Sequence, residues 1–118
     1  MLDTFHPDQL AAAYDMLRLC NPFCDWCLPH SDEIEFSVAP YRARSGWYLQ
    51  KPNGDHHIAI SDKHVGSLNT LIMVMAHEMI HLYQFINKTN TKHFHNANFR
   101  ELAHEVCLIH SWDYKLFV

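Results

Sequence analysis

Apolar residues recur at helical spacing in three stretches of the chain. The first covers residues 7–19, where a proline and an aspartate suit the first turn of a helix. The second starts after Ser67, a favourable N-cap residue, and continues to residue 86 or 87. The third covers residues 97–112. The pattern predicts an N-terminal helix, a long helix in the second half of the chain and a C-terminal helix.

Three short stretches between the first two helices have the composition of β-strands, at residues 33–39, 45–51 and 56–61. Apolar and polar residues alternate in the first of them. The sequence PNGD, residues 52–55, separates the other two and is a strong hairpin signal, because asparagine and glycine readily adopt positive φ. Together with the helices, these stretches predict an α+β fold with a small three-stranded antiparallel sheet.

Composition restricts the class of protein. The 118 residues are 48% hydrophobic, with 7 Phe, 3 Trp and 5 Tyr, which favours one folded domain over intrinsic disorder. The formal net charge of -4 provides no overall attraction for nucleic acids. The N-terminus lacks the basic start and apolar stretch of a leader, and no apolar stretch is long enough to span a membrane. We therefore expect a soluble intracellular protein, cytoplasmic or associated with the nucleoid or nucleus.

The long helix carries three polar residues within an apolar stretch, MAHEMIHLYQF at residues 75–85. Because His77 and His81 are four residues apart, they project from one face and both imidazoles can reach one ion. Glu78 lies about 100° around the helix, close to that ion but not aligned with the histidines. This is the H-E-x-x-H arrangement of hydrolytic zinc sites, in which zinc lowers the pKa of a water and the carboxylate accepts its proton.

The alternative is a buried amphipathic helix whose histidines make hydrogen bonds in the core. The helix is apolar on most sides, so a glutamate and two histidines without partners would be costly to bury, whereas a zinc ion satisfies all three. We therefore predict Zn²⁺ as the cofactor, His77 and His81 as metal ligands, and Glu78 as the catalytic base.

A third ligand must come from beyond the helix. The long metallopeptidase motif continues with a glycine and a third histidine, but Gln84 and Asn87 occupy those positions here. The remaining candidates are histidines and glutamates of the following loop and helix: His93, His95, Glu101, His104 and Glu105.

The motif HEMIH, followed after a polar loop by HNANF at residues 95–99, resembles the SprT-like metalloproteases, the group that includes Spartan. The resemblance covers about residues 33–107, including the order of the predicted strands, and implies a minimal zincin-like domain. It also implies that His95 is the third zinc ligand and that Phe99 packs behind it. Asn96 stands in the usual glycine position, and asparagine tolerates the left-handed geometry expected there.

Two other residues remain candidates for the third zinc ligand. A glutamate on a later helix completes the zinc site of thermolysin-like enzymes, so Glu101 is an alternative, and His93 is another.

The expected activity is that of a zinc metalloendopeptidase, in which Glu78 deprotonates water and returns the proton to the leaving amine. An extended protein substrate would add to the strand at residues 56–61, which lies next to the metal-binding helix in SprT-like proteins.

A second class of function also stays open, namely a zinc-binding SprT-like fold that acts as a non-catalytic protein-binding or inhibitory module. The intact Glu78 argues against it. SprT-like relatives cut proteins crosslinked to DNA, so the resemblance implies DNA as a partner. Arg42, Arg44 and Trp47 mix cations with aromatic rings as single-strand-binding surfaces do, although solvated charges on a sheet face are the more common reason for that mixture.

A further constellation has the spacing C-x3-C-x2-C-x2-H and consists of four residues: Cys20, Cys24, Cys27 and His30. A structural zinc site is one interpretation, but the usual paired spacing is absent, and thiols buried against Phe23 and Trp26 are favoured. The predicted single domain, residues 1–118, then consists of an N-terminal helix and cysteine-containing segment, residues 1–32, and a sheet and zinc-site core, residues 33–118.

Overall fold

The computed structural model describes residues 5–118, and within them it contains four α-helices and a three-stranded sheet. The helices are α1 (Pro7–Arg18), α2 (Leu68–Asn87), α3 (Ala97–His110) and α4 (Tyr114–Phe117); the strands are β1 (Ile34–Ala39), β2 (Gly46–Gln50) and β3 (His56–Ser61). Two single-turn 3-10 helices, Phe23–Asp25 and Ser31–Glu33, lie between α1 and β1. The predicted α+β class is confirmed. Residues 1–4, where the sequence predicts no leader, lie outside the described residues.

Local side-chain caps explain where the first two long helices begin. The His6 side chain accepts a hydrogen bond from the backbone N–H of Asp8, and the Gln9 side chain accepts one from the backbone N–H of His6. Ser67 Oγ accepts a hydrogen bond from the backbone N–H of Thr70, 3.2 Å away, at the start of α2. Both helices therefore begin at the predicted residues.

The sheet is mixed, which corrects the prediction of an antiparallel sheet. β3 lies in the centre, antiparallel to β2 across the predicted hairpin and parallel to β1. Ile58, Ala59 and Ile60 are fully buried, and a continuous apolar run of this kind favours a central strand over an edge strand. Since β2 runs opposite to β1, and the hairpin makes β3 antiparallel to β2, β3 runs in the same direction as β1.

One face of the sheet is covered by α1 and α2. Phe36, Ile58 and Tyr48 are cross-strand neighbours, so their side chains share this face. Tyr14 of α1 packs on Phe36 with ring centroids 5.6 Å apart, and Phe85 of α2 packs on Tyr48 at 5.0 Å. As α2 also contacts α1, α3 and α4, it is the central helix, and its polar residues Glu78, His81 and Gln84 are buried in the core.

The C-terminal part differs from the prediction, because the helix expected over residues 97–112 ends at His110 and is followed by α4. Ser111 takes a left-handed conformation (φ 58°) that ends α3. The Asp113 side chain then caps α4 by accepting a hydrogen bond from the backbone N–H of Lys115. α4 buries Phe117 against α2. No helix of residues 5–118 has the length and apolar character needed to cross a membrane.

Candidate metal centre

Three imidazoles converge at the middle of α2. His77 and His81 project from α2, His95 projects from the loop before α3, and one ring nitrogen from each lies within 4.8 Å of the others. We call these residues the histidine cluster. Zn–N bonds of about 2.0–2.1 Å at tetrahedral angles place ligand nitrogens roughly 3.3 Å apart. The Nε2 atoms of His77 and His95 are 3.2 Å apart, so the spacing of these two nitrogens suits one zinc ion.

The backbone of α4 orients His77. Nδ1 of His77 lies 2.9 Å from the carbonyl oxygen of Phe117. Because a carbonyl can only accept, Nδ1–H donates, and the lone pair of the neutral ring is left on Nε2, which faces His95. Such a hydrogen bond to the second ring nitrogen is typical of metal-ligating histidines. Sequence reasoning missed this contact, and its available signal was Asp113, a capping residue ahead of the short sequence YKLF.

Aromatic stacking orients the other two imidazoles. Phe99 is fully buried, and its ring stacks on His95 at a centroid distance of 4.4 Å and on His81 at 4.7 Å. The predicted packing of Phe99 behind His95 is confirmed. Asn96 does not have the expected left-handed geometry; its φ of -70° is ordinary extended backbone, and its side chain caps α3 instead. Asparagine is therefore accommodated here without the conformational freedom of glycine.

Burial favours the neutral form of the imidazoles in the histidine cluster. It lowers the pKa of His77 to about 4, although the hydrogen bond to the Phe117 carbonyl opposes the shift and the nearby His95 adds to it. Burial, together with His77 and His95, lowers the pKa of His81 to about 3, and burial also lowers the pKa of His95. A neutral imidazole is the form that binds metal, so this donor set fits zinc in its chemistry as well as its spacing.

Glu78 lies beside the cluster and is only 4% exposed. β2 starts directly against it: a Cβ atom added to Gly46 would lie 3.0 Å from Oε2 of Glu78 and 2.7 Å from Cγ1 of Val74. Gly46 therefore allows an approach that a larger residue would block. Burial raises the pKa of Glu78 to about 8, an effect that the positive charge of Arg44 partly offsets. Burial therefore favours the protonated, uncharged form of this carboxyl group.

The structure distinguishes the candidates for the third zinc ligand by their distance from His77 and His81. Among the described residues, His95 is the one candidate that belongs to the cluster. The other candidates lie outside this group: His93, Glu101, His104 and Glu105. His104 stacks on Tyr114 at a centroid distance of 3.7 Å.

The cysteine-containing segment does not form a comparable centre. Within residues 5–118 its three thiols and His30 are not brought together as a group of metal-binding atoms. Cys24 and Cys27 are exposed, so the prediction of buried thiols is wrong for both. The aromatic residues enter the core instead, with Phe23 fully buried and Trp26 stacked on Tyr83 at 4.3 Å.

A cavity of about 480 Å³ opens beside the histidine cluster and Glu78. This volume lies within the usual range of about 300–1,000 Å³ for ligand sites. Gly46, Trp47 and Tyr48 of β2 form one wall, and Phe94 and Leu116 belong to the apolar part of the lining. Because β2 is at the edge of the sheet described here, the cavity adjoins backbone that can pair with another extended chain.

Comparison with known proteins agrees with this centre. No curated protein matches the chain individually. Residues 13–114, nearly the whole sequence, match the SprT-like family, and the match includes the histidine cluster, Glu78 and all three strands. The chain belongs to the SprT-like family.

Proposed function

We propose that the protein is a zinc-dependent endopeptidase that hydrolyses peptide bonds in protein substrates. In this proposal the histidine cluster (His77, His81 and His95) holds Zn²⁺, and Glu78 is the catalytic base. The supporting observation is the convergence of three imidazoles beside a buried carboxyl group at the wall of a cavity. Membership of the SprT-like family supports the same activity and a zincin-like arrangement of helix and sheet.

Bound zinc would supply Lewis acidity, which lowers the pKa of a water molecule and polarises a substrate carbonyl. Glu78 would accept a proton from the attacking water and later donate it to the nitrogen of the leaving amine. Burial raises the pKa of Glu78, whereas the positive charge of a bound metal ion would lower it. The Phe117 carbonyl would keep His77 in the orientation that directs Nε2 into the centre.

The substrate would lie along β2. The expected addition to residues 56–61 is wrong, because β3 is paired on both sides. β2 has an outer edge beside the cavity, where an extended peptide can form main-chain hydrogen bonds. Phe94 and Leu116 are 68% and 77% exposed there, which favours a substrate with a large apolar side chain. Unfolded protein segments offer both an extended backbone and exposed apolar side chains.

Proteins bound or crosslinked to DNA are the substrates that the family resemblance implies. Arg42 and Arg44 are exposed in the segment leading to β2, and a contact between His64 and the Arg42 carbonyl brings Lys63 close to the same segment. Cations beside the cavity support single-stranded DNA as a partner. We expect a single-stranded oligonucleotide to raise the cleavage rate at low salt; an unchanged rate would contradict this part of the proposal alone.

The activity is tested by comparing the parent with Glu78→Gln on an unfolded protein such as denatured casein. The amide cannot accept the proton, so we expect cleavage to fall by about 10²–10⁴-fold while zinc content is unchanged. Glu101→Gln is the matched control, because this exposed carboxylate lies outside the cluster, and it should cleave as the parent does. A Glu78→Gln variant as fast as the parent would refute the mechanism. A zinc-loaded parent that cleaves nothing, with or without DNA, would favour the non-catalytic alternative.

A further inference from the structure

Gln84 is a buried amide one turn beyond His81 on α2, and it is only 1% exposed. Burying an amide is costly unless its hydrogen bonds are made. Nε2 of Gln84 donates to Oδ1 of Asn96 and to Oδ1 of Asn98, each at 3.0 Å. Both N–H bonds of this amide therefore reach from α2 to the beginning of α3. We call the three residues the amide cluster.

The direction of these hydrogen bonds is fixed by the backbone around Asn96. The N–H of Phe99 can only donate, and it lies 2.9 Å from Oδ1 of Asn96. The carbonyl of Thr89 can only accept, and it lies 3.1 Å from Nδ2 of Asn96. Because Oδ1 of Asn96 must face Phe99 and Gln84, Gln84 has to present its NH2 group. A carboxylate or an apolar side chain at position 84 could not make this link.

The amide cluster acts on the one member of the histidine cluster that α2 does not carry. His77 and His81 are held by the helix itself, whereas His95 belongs to an exposed loop and directly precedes Asn96. We propose that Gln84, Asn96 and Asn98 are positioning residues that hold His95 in register with His77 and His81. This inference rests on the proposed zinc centre and extends it to residues outside the ligand set.

The glycine that SprT-like motifs usually have at position 96 carries no side chain for such a link. Asn96 instead joins the end of α2, the loop and the first turn of α3 through one amide. On the other side of the same peptide unit, Nη1 of Arg100 donates to the His95 carbonyl at 2.7 Å. The peptide unit that joins His95 to Asn96 is therefore held by two side chains, which would preorganise the ligand.

The variant Gln84→Met tests the proposal, because methionine has a similar length and no donor. Loss of a hydrogen bond to a metal ligand commonly weakens metal binding by about 10–100-fold. Because Gln84 acts on His95 through Asn96, we expect the zinc dissociation constant to rise by about 10-fold, at the lower end of that range. The constant is measured by chelator competition. The visible absorption of the Co²⁺-substituted protein, which reports ligand geometry, should change in the same variant. Asn87→Ala is the matched control: Asn87 is exposed and donates to the Tyr83 carbonyl of its own helix, and its variant should show parental affinity and spectrum.

A second variant, Asn98→Ala, removes one of the two acceptors of Gln84 and should weaken zinc binding less than Gln84→Met does. In the double variant the affinity should equal that of Gln84→Met, since both changes remove the same link. Parental affinity and an unchanged Co²⁺ spectrum in Gln84→Met would overturn the proposal. If that variant does not fold, parental affinity in Asn98→Ala would overturn it instead. Failure of the parent itself to bind zinc would refute the proposed zinc centre, which is a distinct result.

Discussion

The histidine cluster and the cysteine-containing segment both place several metal-binding side chains close together in sequence, yet only the first brings them together in space. The histidines of α2 share one face of a rigid helix, and a third joins them across a restrained loop. The segment from Cys20 to His30 instead follows an irregular path with Pro22 and Pro29 and a single 3-10 turn. The number of potential ligands is thus a weaker indicator of a metal site than the element that carries them.

Burial also distinguishes His81 of the histidine cluster from two of the cysteines. His81 is 9% exposed, whereas Cys24 and Cys27 are exposed to solvent. Polar groups in the core need a partner there, and a metal ion provides one, while solvated thiols are satisfied by water. The two regions therefore differ in how much they would gain from binding a metal.

The largest expected effect is that of His81→Ala. It removes a ligand that the helix holds in place, so we expect loss of stoichiometric zinc and cleavage at background level. Metal analysis of the purified protein and a casein assay measure the two effects. Full zinc retention in this variant would show that the metal binds elsewhere in the chain.

His95→Ala tests whether the loop completes the centre. Changes outside the ligand set already cost about 10–100-fold in affinity, so loss of a ligand should weaken zinc binding by more than about 100-fold. The control is Glu101→Ala, which removes an exposed carboxylate outside the cluster and should bind zinc as the parent does. Chelator competition measures the zinc affinity of both variants. Weaker zinc binding in Glu101→Ala than in His95→Ala would assign the third ligand to Glu101.

Gly46→Ala tests the approach of β2 to Glu78. The added methyl group would lie 2.7 Å from Val74 Cγ1 and 3.0 Å from Glu78 Oε2, so we expect a loss of about 1–3 kcal/mol in unfolding free energy together with slower cleavage. Gly66→Ala is the matched control, since its Cβ would meet no atom of residues 5–118 within 4 Å. Urea denaturation gives the stability, and equal stability of the two variants would contradict the close contact.

The smallest effect is expected from serine substitutions in the cysteine segment. The exposed Cys24 and Cys27 should each change unfolding free energy by no more than about 0.5 kcal/mol, because surface substitutions rarely do more. The triple variant Cys20→Ser, Cys24→Ser, Cys27→Ser should keep the zinc content of the parent. Loss of zinc from the triple variant would place the metal in the cysteine-containing segment instead of the histidine cluster.

Much of the fold was predictable because local signals determine it. Ser67 caps α2 and PNGD forms the hairpin, and both act over a few residues. The parallel pairing of β1 with β3 was not predicted, since it depends on which strand occupies the centre of the sheet. The buried run Ile58, Ala59 and Ile60 was the relevant signal, and the hairpin pattern alone pointed to an antiparallel sheet.

The site was predictable to the extent that helical periodicity fixes it. His77, Glu78 and His81 follow from spacing, but the place of His95 required the family resemblance, since no periodicity relates it to α2. The Phe117 carbonyl and the Gln84 amide join the site through tertiary contacts between distant parts of the chain. Asn96 shows the same limit, because its capping role depends on partners that its own sequence position does not reveal.

X-ray absorption at the zinc edge of the purified parent protein tests the account most directly, because it identifies the atoms bound to the metal. Zinc held by the histidine cluster should show nitrogen and oxygen neighbours at about 2.0–2.1 Å with imidazole scattering and no sulfur. Sulfur neighbours at about 2.3 Å would place the zinc on the cysteines and contradict a centre made of His77, His81 and His95.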